Sequence, residues 1–180
     1  MAQSESEEVR IVTFDKDRFY LRQGIGLIHT PEIITFLNER GDELLLSGPI
    51  SERDIRWRYY WSDSDRMRVV TIRCSDNDLL VAVAAMNIRY TWRRGIGTIE
   101  YVLADKDFRG RGLGRAVVSE FIQQAQESVE PPLDKLELVS EPHHVAARAL
   151  YESLGFRLVK GSDRHYELFL SKNDEHPDAA

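Results

Sequence analysis

At 180 residues the chain is long enough for one domain that removes roughly 70% of its unfolded surface from water, so a single substantial core is within reach. Apolar residues make up 42% and charged residues 30%, far from the compositions of collagen, membrane spans or wholly disordered chains. Asp and Glu number 30 against 24 Lys and Arg, and the resulting net charge of −6 argues against a general nucleic-acid binder and suits a cationic partner better.

The first eight residues are acidic and polar, lack the basic and apolar regions of a signal peptide, and are expected to be disordered. Nowhere does the chain approach the ~20 consecutive apolar residues of a transmembrane helix, so a cytoplasmic location without membrane contact is expected. The one cysteine, Cys74, permits no intrachain disulfide and no metal site built on thiolates alone, and its strand-like surroundings mark it as a packing residue.

Residues 9–14 are short and rich in β-branched side chains, which suits a strand, and 15–30 carry mixed signals that read as loop. Thr30-Pro31-Glu32 combines a cap, a first-turn proline and an acid; Ile33, Ile34 and Leu37 then give a short amphipathic helix that Gly41 ends. Ser51-Glu52-Arg53-Asp54 is a variant capping box that opens a second short helix over the aromatic run from Ile55 to Trp61. Strand patterns over 69–74, 79–89 and 97–104, separated by polar turns, predict an antiparallel meander.

Leu113, Val117, Phe121 and Ala125 recur every four residues and predict a long amphipathic helix, closed by Pro131-Pro132. A strand over 133–139, a helix over 145–154 stopped by Gly155, and closing strands over 156–159 and 165–170 complete the chain. This order predicts an α/β fold with a mixed, mainly antiparallel sheet of about six to seven strands flanked by about four helices. A single domain over 9–170 is expected, with a flexible tail over 171–180.

The segment Arg109-Gly110-Arg111-Gly112-Leu113-Gly114-Arg115 joins a predicted strand to the long helix. Its glycines admit close approach of a ligand, the unpaired N–H groups of the first helical turn point outward, and three arginines add charge, so a pyrophosphate is the matched ligand. A glycine-rich turn on its own serves equally as a structural cap. The spacing fits neither a P-loop nor the dinucleotide fingerprint.

Arg109-x-x-Gly112-x-Gly114 resembles the R/Q-x-x-G-x-G/A pyrophosphate loop of the GNAT superfamily of N-acetyltransferases. Downstream, Leu150-Tyr151-Glu152-Ser153-Leu154-Gly155-Phe156 resembles the L-Y-x-x-L-G-F segment that ends the family's second cofactor-contacting helix. The likeness is close over roughly residues 69–170 and rests only on helix and strand count before that. One departure is His144, where many members carry Asn seven residues before this tyrosine.

The resemblance implies a GNAT-like fold and transfer of an acetyl group from acetyl-CoA, as co-substrate and without a metal, to a primary amine on a small molecule or peptide. It implies cofactor contacts at Val102, Leu103 and Ala104 through the backbone, at Arg109, Gly110, Arg111, Gly112, Leu113, Gly114 and Arg115 in the loop, and at His144. The Val102 N–H is then the expected oxyanion donor, and such donors contribute ~10²-fold or more. Tyr151 is implied as the general acid, against the alternative of a core or cap tyrosine.

An alkyl ammonium near pKa ~10.4 must lose its proton before attack, and Glu100, Glu137 or water is the candidate base. Period-two alternation places Glu100 on the same strand face as Val102 and Ala104. Trp57 and Tyr60 are candidates for walling the acceptor site, against plain packing. The adjacent His143 and His144 are not read as a metal pair. Competing readings are a non-catalytic acetyl-CoA-binding regulatory domain, which retention of Tyr151 disfavours, and an unrelated nucleotide-binding module; homodimers are common in the family.

Overall fold

The computed structural model describes residues 18–25, 31–40, 66–91, 95–127 and 132–170. In chain order they form β1 (Phe19–Ile25), α1 (Pro31–Arg40), β2 (Met67–Cys74), β3 (Leu80–Tyr90), β4 (Gly95–Ala104), a 3₁₀ turn (Lys106–Phe108), α2 (Leu113–Glu127), β5 (Lys135–Val139), α3 (Val145–Ser153), β6 (Arg157–Leu158) and β7 (His165–Phe169). The strands make one sheet in the order β1-β2-β3-β4-β5-β7-β6. Every neighbouring pair is antiparallel except β4 and β5. Those two are joined through α2, and a crossover of that length is what parallel pairing requires.

The meander of β2, β3 and β4, the two later helices and the closing strands lie where the sequence predicts them, within a few residues at each end. Two expectations change. Residues 15–30, read as loop, contain β1: Phe19 and Leu21 are each 1% exposed and alternate with Tyr20 and Arg22, a strand period that an edge position and the polar Arg22-Gln23-Gly24 obscure. The described residues hold three α-helices rather than about four, because the helix expected over 51–61 lies outside them, as do the strand over 9–14 and both chain ends.

The sheet is packed on both faces. Leu113, Val117, Phe121 and Ala125 of α2 and Tyr151 of α3 bury against Met86, Ile88, Ile99, Leu136 and Leu138 on one side. Ile33, Phe36 and Leu37 of α1 bury against Val69, Val83, Ala85 and Leu103 on the other. β3 is therefore a near-continuous apolar run, since both its faces are covered. Cys74 packs against the larger cluster, and burial pushes its thiol pKa up, which keeps it a protonated packing residue. No helix among the described residues is long and apolar enough to cross a membrane.

The faces of α2 make a direct prediction. Phe121 is fully buried while Ser119 is exposed. Phe121→Ala should destabilise the chain by about 3–5 kcal/mol in urea unfolding. Ser119→Ala should change stability by less than ~0.5 kcal/mol.

Candidate active site

The site begins where two strands part. β4 pairs with β5 from Ile96↔Lys135 to Ile99↔Leu138 and no further, yet β4 runs on to Ala104. On its other side β4 stays paired with β3, Ala85 facing Tyr101 and Ala82 facing Ala104. The Asp105 N–H donates to the Val81 carbonyl at 2.8 Å. Backbone direction alternates along a strand, so Tyr101, Leu103 and Asp105 turn their peptide groups to β3, and Val102 and Ala104 turn theirs into the opening that β5 has left. The Arg109 guanidinium reaches the Ala104 carbonyl there, at 3.4 Å. Of the three residues expected to offer backbone contacts, Val102 and Ala104 thus face the opening, while the Leu103 peptide faces β3.

A register shift separates Ala85↔Tyr101 from Met86↔Ile99, so Glu100 is the extra residue of a β-bulge. The bulge interrupts the alternation that would set Glu100 on the face of Val102 and Ala104: those two pack against the same cluster as Ile99, three residues from Val102, and Glu100 is exposed. That argument for Glu100 falls with the period it assumed.

The loop follows within one turn. Gly110 and Gly112 have φ of 75° and 81°, a region that side chains disfavour, and a Cβ built on either meets no atom of the described residues within 4 Å, so among them the backbone borders open space. The Gly112 carbonyl accepts from the Ala116 N–H at 2.9 Å and starts α2, whose first N–H groups are directed back at the loop. A pyrophosphate fits this cradle, because backbone donors and the positive helix end meet without side chains in the way. Arg111 lies over the Phe108 ring, 5.5 Å from its centroid. Arg115 donates to Ser153 Oγ at 2.6 Å and so ties α2 to α3.

Tyr151 sits on α3 with 8% of its surface exposed, edge-on to Phe156 and tilted against Tyr166. It belongs to the cluster on which Val102 and Ala104 pack. Burial pushes its phenol pKa up to about 12, so the group carries its proton across all ordinary pH. Tyr166, which the sequence did not single out, anchors this region: its hydroxyl accepts from Arg148 Nε at 2.6 Å and donates to Glu152 Oε1 at 3.1 Å, fastening one face of α3 to β7. His144 precedes α3 at its N-cap position without a side-chain capping bond.

A model of the acetyltransferase (GNAT) family matches residues 31–156. The chain belongs to the GNAT family. It is therefore an acyltransferase. Among solved structures, a GNAT-family acetyltransferase of Streptococcus pneumoniae is similar at 18% identity and a TM-score of 0.65, over 85% of this chain and 99% of that one. A chain of the NatC complex bound to Gag peptide and CoA is similar at 19% identity and a TM-score of 0.65, over 86% and 99%. A Salmonella typhimurium protein assigned as an acetyltransferase and solved with its cofactor acetyl-CoA is similar at 17% identity and a TM-score of 0.63, over 91% and 99%. Identities this low establish a shared GNAT fold. No curated protein sequence matches the chain.

In this GNAT domain Glu137 is heavily engaged. Its carboxylate accepts from Thr98 Oγ1 at 3.0 Å and from Arg89, and Lys135 Nζ lies 3.3 Å away. Burial alone would raise its pKa, but the Thr98 hydrogen bond and the charges of Lys135 and Arg89 outweigh burial and hold it below the usual carboxylate range. A carboxylate so held is a weak proton acceptor. His143 and His144 stack edge-on with centroids 4.2 Å apart, and among the described residues no group of three or more His, Cys, Asp or Glu could hold a metal ion. Trp57 and Tyr60 lie outside the described residues.

Because the folded pKa of Glu137 is depressed, its contribution to stability is present above the unfolded value of ~4.3 and is lost as pH falls through the folded value. Glu137→Gln should therefore destabilise the GNAT domain by about 1–3 kcal/mol at pH 7. The gap between wild type and variant should close as acid unfolding is followed below pH ~4. A gap that is constant with pH would show that the charge of Glu137 does not matter to the fold.

Proposed function

We propose that the chain transfers an acetyl group from acetyl-CoA to a primary amine on a small molecule or peptide, by direct attack of the amine on the thioester. The observation that carries this reading is the pair of outward peptide groups, Val102 and Ala104, beside a glycine loop whose backbone borders open space among the described residues. Acetyl-CoA supplies an activated acyl group on a thiolate that can depart. The loop from Arg109 to Arg115 is proposed to hold its pyrophosphate, and the Val102 N–H to stabilise the developing oxyanion.

Tyr151 is the proposed acid. A phenol kept protonated by burial has its proton ready at any working pH, and it lies in the cluster that Val102 and Ala104 pack against. The acceptor's proton is assigned to Glu100, Glu137 or water, and the bonds of Glu137 to Thr98, Arg89 and Lys135 make it the weaker proton acceptor that its lowered pKa implies. Trp57 and Tyr60 are proposed to wall the acceptor site. His144 is proposed to border the cofactor from the start of α3. The Gag peptide carried by the NatC structure supports the peptide side of the acceptor class.

Two substitutions test the reading together. Gly112→Glu should abolish acetyl-CoA binding in calorimetry, because a side chain at positive φ is strained and its carboxylate would occupy the cradle. Tyr151→Phe should bind acetyl-CoA normally and turn over about 10²-fold more slowly, with acyl transfer read as free thiol. A folded Gly112→Glu protein that binds like wild type would remove the cofactor assignment, and a fully active Tyr151→Phe would return Tyr151 to packing.

A further inference from the structure

Asp105 ends β4 and opens the turn that leads into the loop. Its carbonyl accepts from the Phe108 N–H at 3.0 Å, and its Oδ1 accepts from the Asp107 N–H at 2.9 Å, so the carboxylate is the cap that shapes this turn. The side chain is only 9% exposed. Such a group creates an electrostatic conflict. It is a poorly solvated anion, four residues before Arg109, next to a loop whose ligand is itself an anion, and a poorly solvated charge is little screened by salt.

The conflict is answered from the other side of the sheet. Arg40, the last residue of α1, donates from Nε to Asp105 Oδ2 at 2.6 Å. Its guanidinium also bonds Glu39 at 2.6 Å and lies 4.8 Å from the centroid of the Phe36 ring, a residue buried against Leu103 and Val83. The carboxyl group stays ionised: burial opposes this, but the Asp107 N–H and the Arg40 hydrogen bond outweigh it and hold the pKa below the usual range. Arg40 is bonded to the carboxylate, while Lys106 acts on it only by charge at longer range.

We propose that Arg40 is a positioning residue for the cofactor, acting as the counter-ion that lets the capping carboxylate of Asp105 stand beside an anion-binding loop without opposing its ligand. The inference rests on the reading of the loop as a pyrophosphate cradle, and it assigns to α1, on the opposite face of the sheet, a part in cofactor affinity. Arg40 acts through Asp105 and touches no substrate.

The test is calorimetric titration of acetyl-CoA into the full chain, with melting temperatures measured alongside, for wild type, Arg40→Met, Asp105→Asn and the double variant. Asn keeps the oxygen that caps Asp107, removes the charge, and replaces the oxygen that accepts from Arg40 with an amide group that cannot. Arg40→Met should weaken acetyl-CoA roughly three- to tenfold, with kcat at saturating acetyl-CoA little changed. Adding Asp105→Asn should return the affinity to within about twofold of wild type. Asp105→Asn alone should bind at least as tightly as wild type, a result that stands even if Arg40→Met melts too low to titrate. Wild-type affinity in Arg40→Met, no recovery in the double variant, or weaker binding by Asp105→Asn would each overturn the inference while wild type still binds. Absence of binding by wild type would overturn the loop reading itself and this inference with it.

Discussion

The proposed cofactor site depends on a strand that outruns its neighbour. Backbone N–H and C=O groups must be paired or solvated, and a strand flanked on one side only exposes half of them. β4 loses β5 after Ile99 and keeps β3 to its end. The alternation of peptide direction then decides which groups look into the gap, without any choice of side chain. The bulge at Glu100 falls at the same point, where an added residue bends a strand and increases its twist. The loop, the first turn of α2 and the capping carboxylate of Asp105 are all placed by where this strand ends.

The chemistry at the gap is set more by what surrounds each group than by residue type. Tyr151 and Tyr166 are neighbours of the same kind, yet Tyr166 is bonded at its hydroxyl to Arg148 and Glu152, and Tyr151 has no such partner among the described residues. The hydroxyl of Tyr166 is consumed in fixing α3 to β7, and that of Tyr151 is not. Glu137 and Asp105 likewise are both ionised carboxylates held low by partners, and both are structural groups before anything else. A carboxylate close to a site is not thereby its base.

Much of this was legible in the chain alone. The four-residue recurrence from Leu113 to Ala125 is a helix because only one face meets the core, and the runs over 69–104 are strands because β-branched and small apolar residues alternate or persist between turn residues. The two motifs could be read because backbone geometry restricts them: Gly112 of the first and Gly155 of the second stand at positive φ, where other residues are strained. What escaped reading depends on distant partners. β1 is an edge strand whose polar half hides its period, and nothing in the residues around Glu100 marks a bulge, which is a property of register against β3. Arg40 and Asp105 are 65 residues apart, and neither carries a local signal that they meet.

The central claim is that alternate peptide groups of β4 are available to acetyl-CoA, and amide hydrogen exchange reads it residue by residue. In the free protein the Val102 and Ala104 amides should exchange quickly while those of Leu103 and Asp105, bonded to β3, are protected. Saturating acetyl-CoA should slow exchange at Val102 by about tenfold or more and leave Leu103 as it was. Slow exchange at Val102 in the free protein, or protection gained at Leu103 and not at Val102, would contradict the account.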